Sequence, residues 1–438
     1  MLDVNLLREK PEEVKKGIAD KGADPKLVDD FLAIDKAWKE VLLEVENIRA
    51  QHKKLGKEDK EKGRALKEEV KQREAKLAEL EEKRSAVLFR IPNVPDADVP
   101  VGKDESENVV MRKWGIPPAF DFTPKDHLAI GEALGIIDVQ TAGKVSGSRF
   151  SYLKGAAALM EFAIIRYVFD VLTDSKIIGE LAQKIEKKYS VTPFTPVVPP
   201  VMIRPEVFKR MARLDPGQED ERYYLPKDDL YLVGSAEHAM GPMHMDETLS
   251  EEKLPLRYAG FSTSFRREAG SYGKDVKGIL RSHQFDKIEI ESFTVPEHSR
   301  KEQDFIVSIQ EYFMQALKLP YQVVAICTGD MGSPDARQID IETWMPGEGR
   351  YRETHTSDMM TDYQSRRLAT RVKRKNGNTE LVHMNDATVF AIGRILIAII
   401  ENYQQADGSV AVPKALQKYS GLKVIKKISP RAAYASGL

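Results

Sequence analysis

Residues 261–291, FSTSFRREAGSYGKDVKGILRSHQFDKIEIE, contain two strand-like runs separated by a glycine-rich, charged loop. Since successive side chains of a strand point to opposite faces, Arg266 and Glu268 should share one face of the first run. One face of the second run should carry Arg281, His283, Phe285, Lys287 and Glu289. Ile288 and Ile290 should lie on the other face. The hairpin therefore predicts a sheet with one polar face, which is either a solvated surface or a binding site.

The run 387–400, ATVFAIGRILIAII, predicts a largely buried helix in which Arg394 is the only charged residue. A buried guanidinium without a partner is very costly, so Arg394 should meet a carboxylate or a bound anion such as phosphate. The sequence leaves both partners open.

Two more strand-like runs, 337–344 and 350–357, are rich in oxygen-bearing side chains. The relevant residues are Asp340, Glu342, Glu353 and Thr356. Such ligands suit Mg²⁺ that is held jointly with substrate phosphates, although surface carboxylates are the commoner explanation. His283 and His355 are expected to be structural rather than metal ligands.

Composition narrows the possible functions. Lys and Arg (67) balance Asp and Glu (68), so any RNA contact must use a local basic surface rather than overall positive charge. The single cysteine, Cys327, excludes a disulfide framework and a Cys-rich zinc site. The N-terminus lacks the apolar core of a signal peptide, and no apolar run approaches the roughly 20 residues that span a bilayer. We expect a soluble, cytoplasmic protein that binds neither membrane nor DNA.

The motifs of several common enzyme classes are missing from the sequence. It contains no Walker A loop, dinucleotide fingerprint, HExxH or Gly-x-Ser-x-Gly. If the protein binds ATP, it must hold the phosphates in another way.

Apolar residues recur at alternating spacings of four and three from Leu27 to Leu55, with His52 as a polar step, and again from Leu66 to Val87. Heptads of this kind predict two helices that bury their seams against each other as an antiparallel hairpin, at about 27–89. At ~1.5 Å per residue, about 30 residues per helix give an arm roughly 45 Å long. A hairpin that serves only dimerisation or spacing is the alternative.

The segment RIPNVPDADVPVGKDESEN (90–108) is proline-rich and acidic, which predicts a linker after the arm. It divides the chain into an N-terminal domain, 1–105, and a second domain, 106–438, whose tail after about 420 has no interpretable pattern. The second domain mixes strand-like runs with helices, such as one near 156–189. This mixture predicts an α+β domain built on an antiparallel sheet.

From residue 1 to about 420 the chain resembles bacterial-type seryl-tRNA synthetases. FRREAGSYGKDVKGILRSHQF (265–285) resembles motif 2 of the class II synthetases, and FAIGRILIAIIENYQQADGSVAVPKAL (390–416) resembles motif 3 with its following turn. CTGDMG (327–332) also matches the family. The resemblance implies an antiparallel-sheet class II catalytic domain with an N-terminal antiparallel two-helix coiled-coil arm, assembled as a homodimer. Pro199 or Pro200 would belong to motif 1, the dimer-forming element.

The resemblance also implies an activity. A serine–tRNA ligase activates L-serine with ATP to seryl-adenylate and transfers it to tRNA(Ser); whether tRNA(Sec) is also an acceptor is left open. Mg²⁺ would be held by Glu353 with Thr356. ATP would be bound by Arg266, Glu268, Arg281, Phe285, Glu353 and Arg394, and serine by Ser235, Glu237, Arg266, Glu289, Asp386 and Thr388.

Within that set the implied roles differ. Arg266 would contact the α-phosphate and the serine carboxylate, Arg394 the γ-phosphate, and both would be catalytic. Glu268 would accept from the adenine amino group while Phe285 stacks on the ring. The arm would reach the long variable arm of serine tRNA through a basic tip formed by Lys53, Lys54, Lys57, Lys60, Lys62 and Arg64.

The sequence departs from the family pattern at two positions of the serine site. The loop usually written Thr-x-Glu is Ser235-Ala236-Glu237, and an Asn of motif 3 is replaced by Asp386. Two alternatives to a serine–tRNA ligase remain: a paralogue that loads an amino acid onto a carrier protein or makes a free seryl product, and a catalytically inactive binding homologue.

Overall fold

The computed structural model describes residues 1–55, 59–214, 219–268 and 278–427. The glycine-rich loop 269–277 and Lys57 lie outside these residues. Helices span α1 Val4–Glu9, α2 Pro11–Asp20, α3 Lys26–Lys53, α4 Lys60–Arg90, α5 His127–Leu134, α6 Val139–Ser146, α7 Ala156–Leu172, α8 Ser175–Ile185, α9 Pro205–Arg210, α10 Glu237–Met240, α11 Ser299–Leu317, α12 Tyr363–Leu368, α13 Ile392–Asn402 and α14 Lys414–Ser420.

Strands alternate with these helices beyond the arm. They span β1 Val109–Trp114, β2 Ile137–Asp138, β3 Tyr152–Leu153, β4 Thr195–Val197, β5 Met202–Ile203, β6 Tyr224–Leu225, β7 Leu230–Leu232, β8 Thr248–Ser250, β9 Leu256–Phe265, β10 Gln284–Thr294, β11 Tyr321–Ala325, β12 Arg337–Met345, β13 Arg350–Thr361, β14 Arg371–Lys373, β15 Thr379–Leu381, β16 His383–Ala391, β17 Val410–Ala411 and β18 Val424–Ile425. Within the described residues, no helix combines the length and apolar character needed to cross a bilayer.

The arm consists of α3 and α4, and the heptad prediction is confirmed. The apolar seam of α3 is buried at Leu27, Phe31, Val41, Val45 and Ile48. Polar steps of the second seam pair across the hairpin, since Arg84 Nε donates to Asp35 Oδ1 at 2.8 Å and Arg73 Nη1 lies 2.7 Å from Glu44 Oε2. The polar interruptions therefore stabilise the helix pair instead of breaking it.

The base of the arm is also buried against the rest of the protein, an interface that the heptads do not predict. Phe31 of α3 and Leu88 of α4 share an apolar cluster with Ala212 and Tyr363. The Tyr363 hydroxyl also donates to the carbonyl oxygen of Ile91 at 2.8 Å. Heptad spacing gives the pairing of two helices but carries no information about a third surface at one end.

The second domain is built on an eight-stranded sheet in the order β1-β11-β12-β13-β16-β10-β9-β4. Neighbouring strands are antiparallel except at the β4–β9 edge, which is parallel. The face that carries Ile288 and Ile290 is covered by helices including α7, α11 and α13 and forms the main core. The opposite face is polar, as the alternation in β10 predicts.

Two helix predictions need correction. The run 387–400 is a strand up to Ala391 and a helix only from Ile392. The last five residues of β16 are mostly apolar and buried, so their pattern continues into that of the helix. The predicted helix near 156–189 is two helices, α7 and α8. Asp174 caps the second helix by accepting from the backbone N–H of Lys176 and Ile177.

Candidate active site

A cleft opens on the polar face of the sheet, between the ends of β9 and β10 and the start of α13. Its walls include Arg213, Glu237, Arg266, Glu268, Arg281, Phe285, Lys287, Glu353, Thr356, Asp358, Thr388 and Arg394. Gly393 allows the helix to approach, since a Cβ there would lie 2.9 Å from the carbonyl oxygen of Ile279. The two motifs singled out in the sequence therefore meet in one cavity.

One end of the cleft is aromatic and cationic. The Arg266 guanidinium lies 5.4 Å from the centre of the Phe285 ring, and its Nε donates to the carbonyl oxygen of Gly234 at 3.1 Å. Arg281 Nη1 donates to Glu268 Oε2 at 3.2 Å. An aromatic face beside a carboxylate and two guanidinium groups can bind a purine ring and its phosphates.

The strand alternation predicted here is only partly right. β9 ends at Phe265 and β10 begins at Gln284, so Arg266, Glu268, Arg281 and His283 lie outside the strands. Glu268 has a positive φ of 50°, which turns the chain away from the strand path. Arg266, Glu268 and Arg281 nevertheless line the cleft.

His283 and His355 pack as structural residues. His283 Nδ1 lies 3.0 Å from the carbonyl oxygen of Arg266, and its ring packs against Phe150. His355 is fully buried beside Thr354, with 2.8 Å between the threonine hydroxyl and Nδ1. Burial lowers the pKa of His355 to about 3, so its ring is neutral at pH 7.

Arg394 meets a carboxylate at the cleft wall. Its Nη1 donates to Glu353 Oε1 at 2.7 Å and to the Glu353 carbonyl oxygen at 3.0 Å. Burial alone would raise the pKa of Glu353, but the positive charges of Arg394, Lys287 and Arg266 outweigh that effect and lower the pKa. The Glu353 carboxylate is therefore charged and 46% exposed, which leaves it accessible to a ligand.

Asp340 and Glu342 face the same region from β12, as their spacing predicts. Both line a second cavity together with Glu353 and Arg394. Burial, with the nearby Glu353 charge, raises the pKa of Asp340 well above its ordinary value. Among the residues described, no cluster of three or more His, Cys, Asp or Glu side chains forms a self-sufficient metal site.

A second group of polar side chains lies deeper along β10 and β16. Thr388 Oγ1 donates to Glu289 Oε1 at 3.0 Å and lies 3.1 Å from Thr356 Oγ1. Glu289 also forms an ion pair with Lys287. Burial raises the pKa of Glu289 to about 7, with the Lys287 charge opposing the shift. This group can accept and donate hydrogen bonds to a small polar ligand.

Two carboxylates of the predicted serine site, Glu237 and Asp386, flank Arg213. Its Nη2 is 2.9 Å from Glu237 Oε1 and 3.2 Å from Asp386 Oδ2. Ser235 is completely buried, and its hydroxyl accepts from Lys287 Nζ at 3.3 Å. Glu237 lines the cleft, whereas Ser235, Glu289 and Asp386 lie behind its surface.

The sequence does not predict three residues of this region as ligand contacts: Arg213, Lys287 and Asp358. Alternation predicts the face of the sheet on which Lys287 lies, but not its ion pair with Glu289. Asp358 is on β13, two residues beyond Thr356, so period-two alternation could have added it. Arg213 follows a short helix in an irregular segment, and no sequence pattern points to it.

The basic residues at the arm tip are solvent-exposed where the structure describes them. These residues are Lys53, Lys54, Lys60, Lys62 and Arg64. They lie at the C-terminal end of α3 and in the first turns of α4, at the opposite end of the hairpin from its buried base. Lys57, the sixth member of the predicted set, lies outside the described residues.

Known proteins resemble the chain over nearly its whole length. Residues 1–95 match the family model of the seryl-tRNA synthetase N-terminal domain, and residues 222–403 match that of the tRNA synthetase class II core domain (G, H, P, S and T). The serine–tRNA ligase of Acidothermus cellulolyticus is 40% identical over 97% of this chain and 99% of its own length.

Two solved structures resemble the fold over a similar extent. The seryl-tRNA synthetase of Pyrococcus horikoshii complexed with ATP has a TM-score of 0.88 and 37% identity, covering 98% of this chain and 100% of that one. The cytoplasmic serine–tRNA ligase of Naegleria fowleri in complex with AMP has a TM-score of 0.86 and 31% identity, covering 98% and 99% of the two chains.

Proposed function

The chain belongs to the seryl-tRNA synthetase family, and on that premise we propose that it activates serine with ATP and transfers the seryl group to serine tRNA. The observation that carries the proposal is the cleft itself. It brings an aromatic ring, several cationic side chains and a set of hydrogen-bonding side chains together on one sheet face, which supports binding of a purine, its phosphates and a small polar ligand. The reaction belongs in the cytoplasm, where its tRNA substrate is.

ATP would enter at the aromatic end. Phe285 offers its ring to the adenine, and Glu268 offers a carboxylate to the exocyclic amino group. Arg266 contacts the Phe285 ring and the carbonyl oxygen of Gly234, which precedes Ser235 of the serine site, so it would contact the α-phosphate and the serine carboxylate together. Arg281 and Arg394 also line the cleft and would contact the phosphates. Replacement of the Arg266–Phe285 stacking by adenine would free the guanidinium for phosphate.

The proposed activation needs no protein nucleophile. A serine carboxylate oxygen attacks the α-phosphorus, and the bond to the pyrophosphate oxygen breaks. Arg266 and Arg394 would hold the reacting groups in line and neutralise charge on the phosphates. In the second step the terminal ribose hydroxyl of tRNA attacks the seryl carbonyl, and AMP leaves.

Mg²⁺ would be held by Glu353 with Thr356. The charged, half-exposed carboxylate and the neighbouring hydroxyl are hard oxygen ligands, and Mg²⁺ usually binds one or two carboxylates together with substrate phosphates. Bound there, the ion would supply charge neutralisation to the phosphates. Arg394, which now pairs with Glu353, would turn to the phosphates when the ion shares that carboxylate.

Serine would occupy the deeper pocket. Glu289 and Thr388 are already hydrogen-bonded to each other and can exchange that bond for bonds to the serine hydroxyl. Glu237 is the cleft-lining carboxylate that suits the serine ammonium, with Ser235 and Asp386 behind it. Glu289 Oε2 has no hydrogen-bond partner and would stay without one if alanine were bound, which supports selection of serine over alanine.

The arm would bind the long variable arm of serine tRNA. Its exposed basic tip suits phosphate contacts, and the hairpin is long enough to reach a feature tens of ångströms from the acceptor end. The same contacts would serve tRNA(Sec) if its variable arm is presented in the same way.

A homodimer is also part of the proposal. Phe162 on α7 is 68% exposed, and Val198, next to Pro199 and Pro200, is 83% exposed. Leu159, also on α7, is 47% exposed. Large exposed apolar side chains on α7 and directly after β4 support a second copy as the partner that covers them.

Three assays test the proposal. Serine should drive ATP–pyrophosphate exchange without tRNA, faster than threonine or alanine does, and total tRNA should then be charged with serine. A carrier-protein ligase would catalyse the exchange but leave tRNA uncharged. An inactive homologue would do neither, and either result would overturn the proposed function.

A further inference from the structure

One wall of the cleft is formed by a short irregular segment, residues 278–282, which lies just before β10. Ile279, Leu280, Arg281 and Ser282 all line the cleft. The segment belongs to neither a helix nor a strand, so no regular backbone hydrogen bonding holds it in place. Its position therefore depends on the contacts that it makes with neighbouring elements.

His127, the first residue of α5, contacts the start of the 278–282 segment. Its Nε2 accepts a hydrogen bond from the backbone N–H of Ile279 at 3.4 Å, in a buried setting. The packing is close, since a Cβ at Gly278 would lie 2.1 Å from the same Nε2. The carbonyl oxygen of Ile279 packs against Gly393 of α13. The backbone of Ile279 is therefore held by α5 through its N–H and by α13 through its carbonyl group.

Glu401 of α13 orients the His127 ring. Its Oε1 accepts from the backbone N–H of His127 at 2.9 Å and lies 3.3 Å from the ring Nδ1, while its Oε2 accepts from the backbone N–H of Gly347 at 2.8 Å. Because Nε2 accepts from Ile279, the proton of the neutral ring belongs on Nδ1, where it faces Glu401. His127 and Glu401 are only 6% and 1% exposed, so water has little access to these bonds.

The same segment carries a side chain that the proposed reaction uses. Arg281 follows Ile279 by two residues, lines the cleft and donates from Nη1 to Glu268 Oε2 at 3.2 Å. A shift of the Ile279 backbone would therefore move the Arg281 guanidinium. Small displacements of a group that orients the reactants lower the reaction rate strongly.

We propose that His127 is a positioning residue for ATP: oriented by Glu401, it holds the 278–282 segment where Arg281 contacts the phosphates. The inference rests on the proposed function and adds to the ATP site a residue that lies behind the cleft wall. Without an acceptor at His127 Nε2, the Ile279 N–H would be buried and unpaired, which is costly. The segment would move to pair that N–H elsewhere, and Arg281 would move with it.

The test compares two substitutions that keep different contacts of His127. The amide oxygen of His127→Gln can reach the position of Nε2 and accept from Ile279. The shorter amide of His127→Asn reaches only the position of Nδ1 and keeps the contact with Glu401. ATP–pyrophosphate exchange gives kcat and the KM values for ATP and for serine, and a melting curve is recorded for each variant.

His127→Asn should raise the KM for ATP at least about tenfold and leave the KM for serine within about twofold of wild type, since a buried unpaired donor costs at least that much. His127→Gln should keep the KM for ATP within about threefold of wild type. A purely structural role would change both KM values together, or would change the KM for ATP equally in the two variants. Either result would overturn the inference.

A double-mutant cycle tests whether His127 acts through Arg281. Arg281→Met alone should raise the KM for ATP. Adding His127→Asn to that variant should raise the KM by less than about twofold more, because the guanidinium that His127 positions is already missing. Effects that multiply in the double variant would show that His127 acts on ATP by another route, and would also overturn the inference.

Gly278→Ala covers the case in which the His127 variants do not fold. The added Cβ would meet His127 Nε2 and separate the ring from Ile279, so the KM for ATP should rise more than the KM for serine. Gly135→Ala is the matched control, because Gly135 ends α5 with a similarly positive φ, 73° against 65°, but a Cβ there meets nothing within 4 Å. Gly135→Ala should keep both KM values.

The same KM for ATP in Gly278→Ala and Gly135→Ala would contradict the inference. Failure of the wild-type protein to exchange with serine would instead overturn the proposed function. In that event the dissociation constant of ATP, measured by calorimetry, would still compare His127→Asn with His127→Gln, so the two failures are distinguishable.

Discussion

Replacement of Arg394 by Met should separate activation from stability. In the resting protein Arg394 pairs with Glu353, but the two side chains are 25% and 46% exposed. An ion pair this exposed contributes at most about 1 kcal/mol to the free energy of unfolding. A preorganised charge on a reacting phosphate is worth more, about 3 kcal/mol, which corresponds to a loss of between 10² and 10³ in kcat.

The assay is serine-dependent ATP–pyrophosphate exchange at saturating serine and ATP, together with a urea unfolding curve for each variant. Arg374→Met is the control, because Arg374 forms ion pairs with Glu251, Glu297 and Glu380 outside the cleft. It should retain exchange activity. A folded Arg394→Met protein whose exchange rate stays within threefold of wild type would refute the phosphate-contact argument.

Three further predictions concern other parts of the molecule. Folding lowers the pKa of His355 from its ordinary value of 6.5 to about 3. The stability that depends on this neutral ring is therefore complete above pH 6.5 and is lost as the pH falls toward 3. At pH 5 the free energy of unfolding of the wild type should be lower by about 2 kcal/mol than at pH 7, and urea unfolding at the two pH values should show a smaller decrease for His355→Gln. Phe162→Ser should shift sedimentation toward monomer, whereas a fully dimeric variant would argue against the α7 interface. Replacement of the arm-tip basic residues by Gln should weaken tRNA binding and make its dependence on salt concentration shallower, by about one unit of slope per lost contact. An unchanged slope would mean that these residues do not contact phosphate. The residues to replace are Lys53, Lys54, Lys57, Lys60, Lys62 and Arg64.

Local periodicity predicted those parts of the fold in which neighbours in sequence decide the structure. The heptads of α3 and α4 and the alternation of Ile288 and Ile290 in β10 needed no knowledge of distant residues. The boundary at Ala391 was missed for a physical reason. A strand buried on both faces and a buried helix are both continuously apolar, so 387–400 could not be divided by pattern alone.

The sequence predicts those site residues that belong to a continuous motif and misses those that only the pairing of distant strands brings together. Arg266, Phe285 and Arg394 belong to two continuous motifs and meet in the cleft. Glu291, Asp358 and Asp386 lie in one row only because β10, β16 and β13 pair in one particular register. A shift of one residue in any of these strands would turn its carboxyl to the other face of the sheet.

The segment after α9 connects the arm to this register-dependent pocket. Ala212 belongs to the apolar cluster at the base of the arm, together with Phe31 and Leu88, while the next residue, Arg213, reaches the cleft. Complete removal of the arm at 27–89 would therefore expose this cluster and disturb the pocket, so a loss of serine activation would not identify the function of the arm. A deletion of 42–77 bridged by a Gly/Ser linker keeps the base. That variant should retain serine-dependent pyrophosphate exchange within a small factor while its transfer to tRNA falls much further, and unchanged aminoacylation efficiency would show the hairpin to be structural.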